Sequence, residues 1–108
     1  MLLLSIFSHL LERYTDQKDF LIGTVLAGRN HPDWSQLIGV FIDTLVLRIE
    51  TNSRDTASER IKSIKKACID AFSNQDISFD KLVKLLNPER DPSRTTLFQT
   101  LFTVNDFE

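Results

Sequence analysis

Asn74-Gln75-Asp76-Ile77-Ser78-Phe79-Asp80-Lys81-Leu82-Val83, followed by Asn87-Pro88-Glu89-Arg90-Asp91-Pro92-Ser93-Arg94-Thr95-Thr96-Leu97-Phe98-Gln99, decides how this chain is read. Side chains that cap and pair crowd together here, between apolar segments. Ser78 is placed to cap a short helix over 78–86, and Pro88 stops it. Asp80 falls in the first turn of that helix, where the dipole favours a carboxylate. Asp76 and Asp80 are four apart, but they read as a turn and a helix start, not as a catalytic carboxylate pair. Glu89 to Thr96 is irregular and polar. Arg90, Asp91 and Arg94 are spaced for an ion-pair cluster that pins the segment or lines a binding surface. Leu97 to Val104 is expected to be the last strand.

Working back along the chain, Thr56 and Glu59 have capping-box spacing, which opens a helix ending near Ser73-Asn74. Ile61, Ile64, Cys68, Ala71 and Phe72 mark its apolar face, and Lys62, Lys65 and Lys66 its solvated one. Phe41 to Ile49 has strand composition, as does the β-branched run Phe20 to Leu26. Between them lie a loop over 27–33, by its Gly, Asn and Pro content, and a helical turn over 34–38. Residues 2–15 read as a helix with Leu3, Ile6, Phe7, Leu10, Leu11 and Tyr14 on its buried face. No N-cap residue precedes Leu2, so the expectation is one incomplete domain over 1–108, cut from something larger. Alternating helices and strands give an α/β class, helices packed on a mixed sheet.

Bulk properties exclude several functions. At 108 residues there is room for one small domain, and 42% hydrophobic content supports a core. A net charge of -2 argues against a nucleic-acid partner. The opening Met1-Leu2-Leu3-Leu4 lacks a basic flank and breaks at Ser8-His9, so it reads neither as a signal peptide nor as a membrane span. The single cysteine, Cys68, cannot form an internal disulfide and reads as packing in a reducing, cytoplasmic setting. His9 and His31 stand in no catalytic motif. No nucleophile elbow, Cys-x-x-Cys or His-x-x-x-His is present, and Gly23-x-x-x-x-Gly28-Arg29 lacks the lysine of a phosphate loop. Catalytic residues, metal ligands and a directly bound cofactor are therefore all expected to be absent from this chain.

The motifs nevertheless resemble one family. Ile22-Gly23-Thr24 with Ala27-Gly28-Arg29, then Leu37-Ile38-Gly39-Val40-Phe41-Ile42-Asp43-Thr44-Leu45-Val46-Leu47-Arg48, resembles a condensation domain of nonribosomal peptide synthetases. That family typically shows Ile-Gly-x-Phe-Val-Asn-Thr-Leu, then (His/Asn)-Gln-Asp-x-Pro-Phe-Glu and Arg-Asp-x-Ser-Arg-x-Pro-Leu-Phe, in this order. The resemblance implies part of a chloramphenicol acetyltransferase-like fold, within its C-terminal half. It implies a parent that joins an upstream acyl or peptidyl thioester to a downstream aminoacyl amine. Both substrates would ride on phosphopantetheine arms of carrier domains. The family's His-His-x-x-x-Asp-Gly motif belongs to the N-terminal half and has no match here. By carry-over, Arg29, Gly39, Phe41, Asp43 and Thr44 would line the tunnel, with Gly39 allowing close backbone approach. Asn74, Gln75, Asp76, Phe79, Arg90, Asp91, Ser93 and Arg94 would hold turns.

Some positions depart from the pattern in chemistry. Asp43 stands where Asn is usual, which puts a charge near the tunnel. Ser78, Asp80 and Thr96 replace Pro, Glu and Pro, and should be mild. Implied partners are the N-terminal half of the domain and the peptidyl carrier and adenylation domains. The alternative is a non-catalytic binding or assembly module, or a remnant, that pairs with a complementary half. An epimerising or ester-forming relative of the same fold also stays open. Uncovered apolar faces and strand edges predict self-association of the isolated chain.

Overall fold

The computed structural model describes residues 1–27, 31–40, 42–89, 91–94 and 96–105. Elements run α1 (Leu2–Thr15), β1 (Asp19–Leu26), a 3-10 turn (Pro32–Gln36), β2 (Asp43–Glu50), α2 (Ala57–Ser73), α3 (Phe79–Leu86) and β3 (Thr100–Leu101). The sheet order is β2-β1-β3. β1 and β2 are antiparallel and flush at both ends, from Asp19 opposite Glu50 to Leu26 opposite Asp43. β3 lies parallel to β1, with Thr100 beside Ile22. The sheet is therefore mixed, as expected.

Strand alternation puts Leu45, Leu47 and Ile49 on the face shared with Ile22. Leu4 of α1 and Ile64 and Cys68 of α2 complete that core, with Phe7, Leu11, Phe20 and Phe102 packed at its margin. The Phe7 and Phe102 rings stack with centroids 5.2 Å apart, which holds α1 to the end of β3. On the strand surface, Arg48 makes a two-pronged contact to Asp19 (3.0 and 2.8 Å) and reaches Glu50 at 3.2 Å. All three side chains are exposed, so this clasp orients more than it stabilises.

α2 begins as read from sequence. The Thr56 backbone N–H donates to Glu59 Oε2 (2.7 Å), and Glu59 N–H donates to Thr56 Oγ1 (3.3 Å). α3 has Ser78 as its N-cap, accepting from Lys81 N–H at 3.3 Å, and it ends at Asn87 in the left-handed region just before Pro88.

Two expectations need correction. α1 has the expected bounds, but its buried face is Leu4, Ser5, Ser8 and Glu12, with Phe7 and Leu11 half-buried. Leu3, Ile6, Leu10 and Tyr14, expected inside, are exposed. Two forces turn the helix. Ser5 and Ser8 are small, and the Ser8 hydroxyl donates back to the Ser5 carbonyl (2.9 Å), so its polar atom is satisfied inside. Glu12 reaches across to Arg60 of α2.

The final strand is also much shorter than Leu97–Val104. Leu97 has φ 70°, and the Phe98 N–H donates to the Thr96 carbonyl at 3.0 Å. This is a γ-turn about a residue in the left-handed region, which no extended strand contains. Smaller differences are that β2 begins at Asp43 and that the helical turn is a 3-10 helix starting at Pro32.

Candidate functional site

The γ-turn at Leu97 aims the Phe98 ring at β1. It lies over Gly23, on the face opposite Ile22: a Cβ placed on Gly23 would come within 2.5–2.7 Å of three ring carbons. No side chain larger than hydrogen fits there. Phe79, the first residue of α3, meets Phe98 edge-on with centroids 5.7 Å apart. Three of the quoted stretches therefore converge at one point: Gly23 from the first, Phe79 from the second and Phe98 from the third. The stack also ties α3 to the face of the sheet away from α1 and α2.

The other sequence-selected residues occupy turns. Asn74 is the C-cap of α2, and its Nδ2 donates to the Asp70 carbonyl (2.8 Å). Gln75 is half-buried, and Asp76 is exposed in the turn before α3. Asp91 Oδ1 accepts from the Ser93 N–H (2.9 Å) and hydroxyl (2.7 Å). Those bonds hold the Asp91 carboxyl below its ordinary range. Arg94 Nε lies 3.6 Å from Asp91 Oδ2, a single contact and not a two-pronged one. Glu89, Asp91, Arg94, Thr96, Leu97 and Gln99 surround a cleft of about 450 Å³. Arg29, Phe41 and Arg90 lie outside the described residues.

Asp43 and Thr44 are half-buried at the end of the β1–β2 pair, where the Asp43 carboxylate accepts from the Thr44 N–H (2.8 Å). The segment leading into them stands out from the body. Leu37, Ile38, Val40 and Ile42 are 50, 103, 91 and 67% exposed, and Gly39 is exposed among them. A run of large apolar side chains in water marks an interaction surface.

Acid–base chemistry finds little support in this geometry. His9 Nδ1 lies 3.5 Å from Glu12 Oε2, but the same oxygen accepts from Arg60 Nη1 at 2.6 Å. Burial alone would push the Glu12 carboxyl up. The Arg60 hydrogen bond and charge, with smaller help from Thr51 and His9, more than offset it and hold the carboxyl below its ordinary range. A carboxylate so committed is a structural anion, not a base. His31 Nδ1 accepts from the Asp33 N–H (3.3 Å), capping the 3-10 turn, and its ring leans on Trp34. Cys68 is buried, and burial pushes its thiol up, away from nucleophilic use. Among the described residues no group of three His, Cys, Asp or Glu side chains could hold a metal ion. No helix among them is long and apolar enough to cross a membrane.

Sequence reasoning missed two features. The Gly23–Phe98 contact had a signal, a lone glycine inside a strand pattern. The Glu12–Arg60 pair had none, because its members are 48 residues apart.

Comparison with known proteins decides the relationship. The condensation-domain family model matches residues 1–108. The chain belongs to the condensation-domain family. It is 43% identical over 106 residues to surfactin synthase subunit 1 of Bacillus subtilis, covering 98% of this chain and 3% of that protein. It is 40% identical over 108 residues to bacitracin synthase 3 of Bacillus licheniformis, covering all of this chain and 2% of that protein. The chain thus spans only a few hundredths of the length of these relatives.

Among solved structures, a four-domain nonribosomal peptide synthetase bound to AMP and glycine superposes over 93% of this chain and 8% of its own, with a TM-score of 0.89 and 25% identity. The X-domain from teicoplanin biosynthesis in complex with OxyB superposes over 99% of this chain and 24% of its own, with a TM-score of 0.86 and 27% identity. The α/β fold is accordingly the chloramphenicol acetyltransferase-like one of condensation domains.

Proposed function

We propose that this chain forms the C-terminal part of a nonribosomal peptide synthetase condensation domain. Its parent joins an acyl or peptidyl thioester to the amine of an aminoacyl thioester, each tethered by phosphopantetheine to a carrier domain. The observation that carries this reading is the family match over the whole chain, with its three motif stretches in order. The chain itself supplies no general base. His9 and Glu12 are held in a structural cluster, and His31 caps a turn. Proton transfer therefore falls to a histidine of the N-terminal half, and residues here shape the wall against which the thioesters lie. The phosphopantetheine arm enters as part of the substrate, and the chain binds no cofactor of its own.

The β1–β2 pair presents Asp43 and Thr44 at its end, with Gly39 and the exposed Leu37, Ile38, Val40 and Ile42 before them. We read that run as the strap that meets the N-terminal half, a role that the family resemblance extends to Arg29 and Phe41. Asn74, Gln75, Asp76, Phe79, Asp91, Ser93 and Arg94 hold the turns that fix α3 and β3, a role that the family resemblance extends to Arg90. A carboxylate at position 43 favours substrates that bring a positive charge to that end of the wall. Partners are the N-terminal half and the peptidyl carrier and adenylation domains, in the cytoplasm, with no nucleic acid or membrane.

A second reading is favoured by the exposure of Ile38 and Val40: a non-catalytic module that pairs with a complementary half. One experiment tests the shared premise. The chain is mixed with a separately expressed N-terminal half of a condensation domain, and the mixture is followed by gel filtration and amide hydrogen exchange. Co-elution with new protection over residues 37–44 is expected. Separate elution with unchanged exchange would refute pairing through this run.

A further inference from the structure

The inner face of α1 is mostly polar. Of its buried residues only Leu4 is apolar, beside Ser5, Ser8 and Glu12, and Phe7 and Leu11 are half-buried. A helix seated this way gains little from apolar burial. Its main ties to the body are Leu4, the Phe7–Phe102 stack and the Glu12–Arg60 pair. The body has its own core without α1: β1 and β2 pair along their whole length, and Ile64 of α2 packs with Leu45, Leu47 and Ile49.

The boundary between α1 and that body is sharp. The Asp16 N–H donates to the Glu12 carbonyl and the Gln17 N–H to the Thr15 hydroxyl, both back into α1. The Lys18 carbonyl instead accepts from the Thr51 N–H, at 2.7 Å, on the side of the sheet. Asp16 turns the chain at φ 54°, in the left-handed region. The ion pair spans this boundary. Arg60 is held by the body, its Nη2 donating to the Asn52 carbonyl at 3.4 Å, whereas Glu12 belongs to α1. A cleft of about 380 Å³ lies beside the pair, lined also by His9, Arg13, Lys18 and Ser53. Water therefore reaches both ions as they part, and rehydration returns the desolvation that pairing cost. At the other end of α1, Leu4 and Cys68 share one buried cluster. Burial pushes the Cys68 thiol up, and the Met1 amino group offsets a little of that push, so the start of α1 lies near Cys68.

We infer that α1 is a hinged cover over the Ile64–Cys68 side of the core: it leaves as one unit by turning at Asp16–Gln17, while β1, β2 and α2 stay folded, and the Glu12–Arg60 pair is its latch. Hinges of this kind fall at the ends of elements, and a unit with few apolar ties opens well below the free energy of global unfolding. Once detached, a helix of 14 residues is marginal in water, so its amides become exchangeable together. The device rests on the contacts of α1 alone and is independent of the proposed catalytic parent.

Cys68 reports the opening. The chain is labelled with dithiobisnitrobenzoate over a series of urea concentrations below the unfolding midpoint. The rate is expected to be nearly flat at low urea, because opening α1 exposes little surface, and to climb steeply only where the whole chain unfolds. Glu12→Gln keeps an acceptor but removes the charge, and is expected to raise the flat limb about tenfold. Gly23→Ala is expected to lower the urea midpoint and leave the flat limb unchanged, because its clash with Phe98 is the same with α1 docked or open. Amide hydrogen exchange on the unsubstituted chain is the second readout: residues 6–15 are expected to exchange at one shared free energy, below that of residues 20–25 and 44–49. A labelling rate that follows global unfolding at every urea concentration would overturn the inference. So would equal rises for Glu12→Gln and Gly23→Ala, or protection of α1 equal to that of β1 and β2. If Glu12→Gln fails to fold, the urea series and the exchange on the unsubstituted chain still decide the matter.

Discussion

Replacing Gly23 with alanine puts a methyl group into space held by the Phe98 ring. Three ring carbons lie 2.5–2.7 Å from the new Cβ, whereas carbon atoms rest at about 3.5–4.0 Å. The ring must withdraw by roughly 1 Å, and β1 is paired on both sides, so the strand cannot yield instead. Overpacking of this kind costs about 1–3 kcal/mol. Displacing Phe98 also disturbs its edge-on contact with Phe79, worth about 0.5–1.5 kcal/mol. Alanine returns roughly 0.5–1 kcal/mol through its lower unfolded-state entropy. The net expectation is a loss of about 0.5–4 kcal/mol, read from the midpoint of urea unfolding at constant slope. A double-mutant cycle isolates the cause. In a Phe98→Ala background the ring is gone, so Gly23→Ala should become neutral or slightly stabilising. An equal cost in both backgrounds would refute the claim that the ring is what demands glycine.

Arg60→Met leaves Glu12 charged and nearly buried without its partner; a loss of about 3–5 kcal/mol in urea unfolding is expected, and a loss under 1 kcal/mol would mean that water replaces the guanidinium. The folded-state carboxyls of Glu12 and Glu59 are both held below their ordinary range. Their contribution is therefore complete above that range and is lost as pH falls through the lower folded values, below about pH 4. A thermal midpoint that stays flat from pH 6 to pH 3 would contradict this, and Glu12→Gln should flatten the acid limb. Buried Cys68 should react with a thiol reagent at least tenfold more slowly in the native chain than in urea, and equal rates would show it exposed.

Much of the architecture was legible because it is written locally. The Thr56–Glu59 box and the Ser78 cap each sit within four residues of what they satisfy, and both helices begin where those signals put them. Cys68 is buried on its helix, as read. What failed was set by distant residues. The face of α1 follows Glu12, whose partner is 48 residues on, so hydrophobic periodicity alone pointed to the wrong side. The last strand was overextended because its composition is strand-like, while Leu97 is held at positive φ by the turn that seats Phe98. Of the site, Asn74 Nδ2 donates to the Asp70 carbonyl and the Ser93 N–H donates to Asp91, both local contacts. The convergence of Phe79 and Phe98 on Gly23 is set by tertiary packing, because the motifs lie far apart in sequence.

The central claim is that this chain completes a condensation domain without supplying its base. The most direct measurement is amide formation from two carrier-bound thioesters, followed by mass spectrometry, with the N-terminal half alone, this chain alone and both together. The account predicts product only from the mixture, and its loss when a histidine of the N-terminal half is replaced but not when His9 or His31 is. Product from this chain alone, or a stable complex of the halves that forms none, would contradict it.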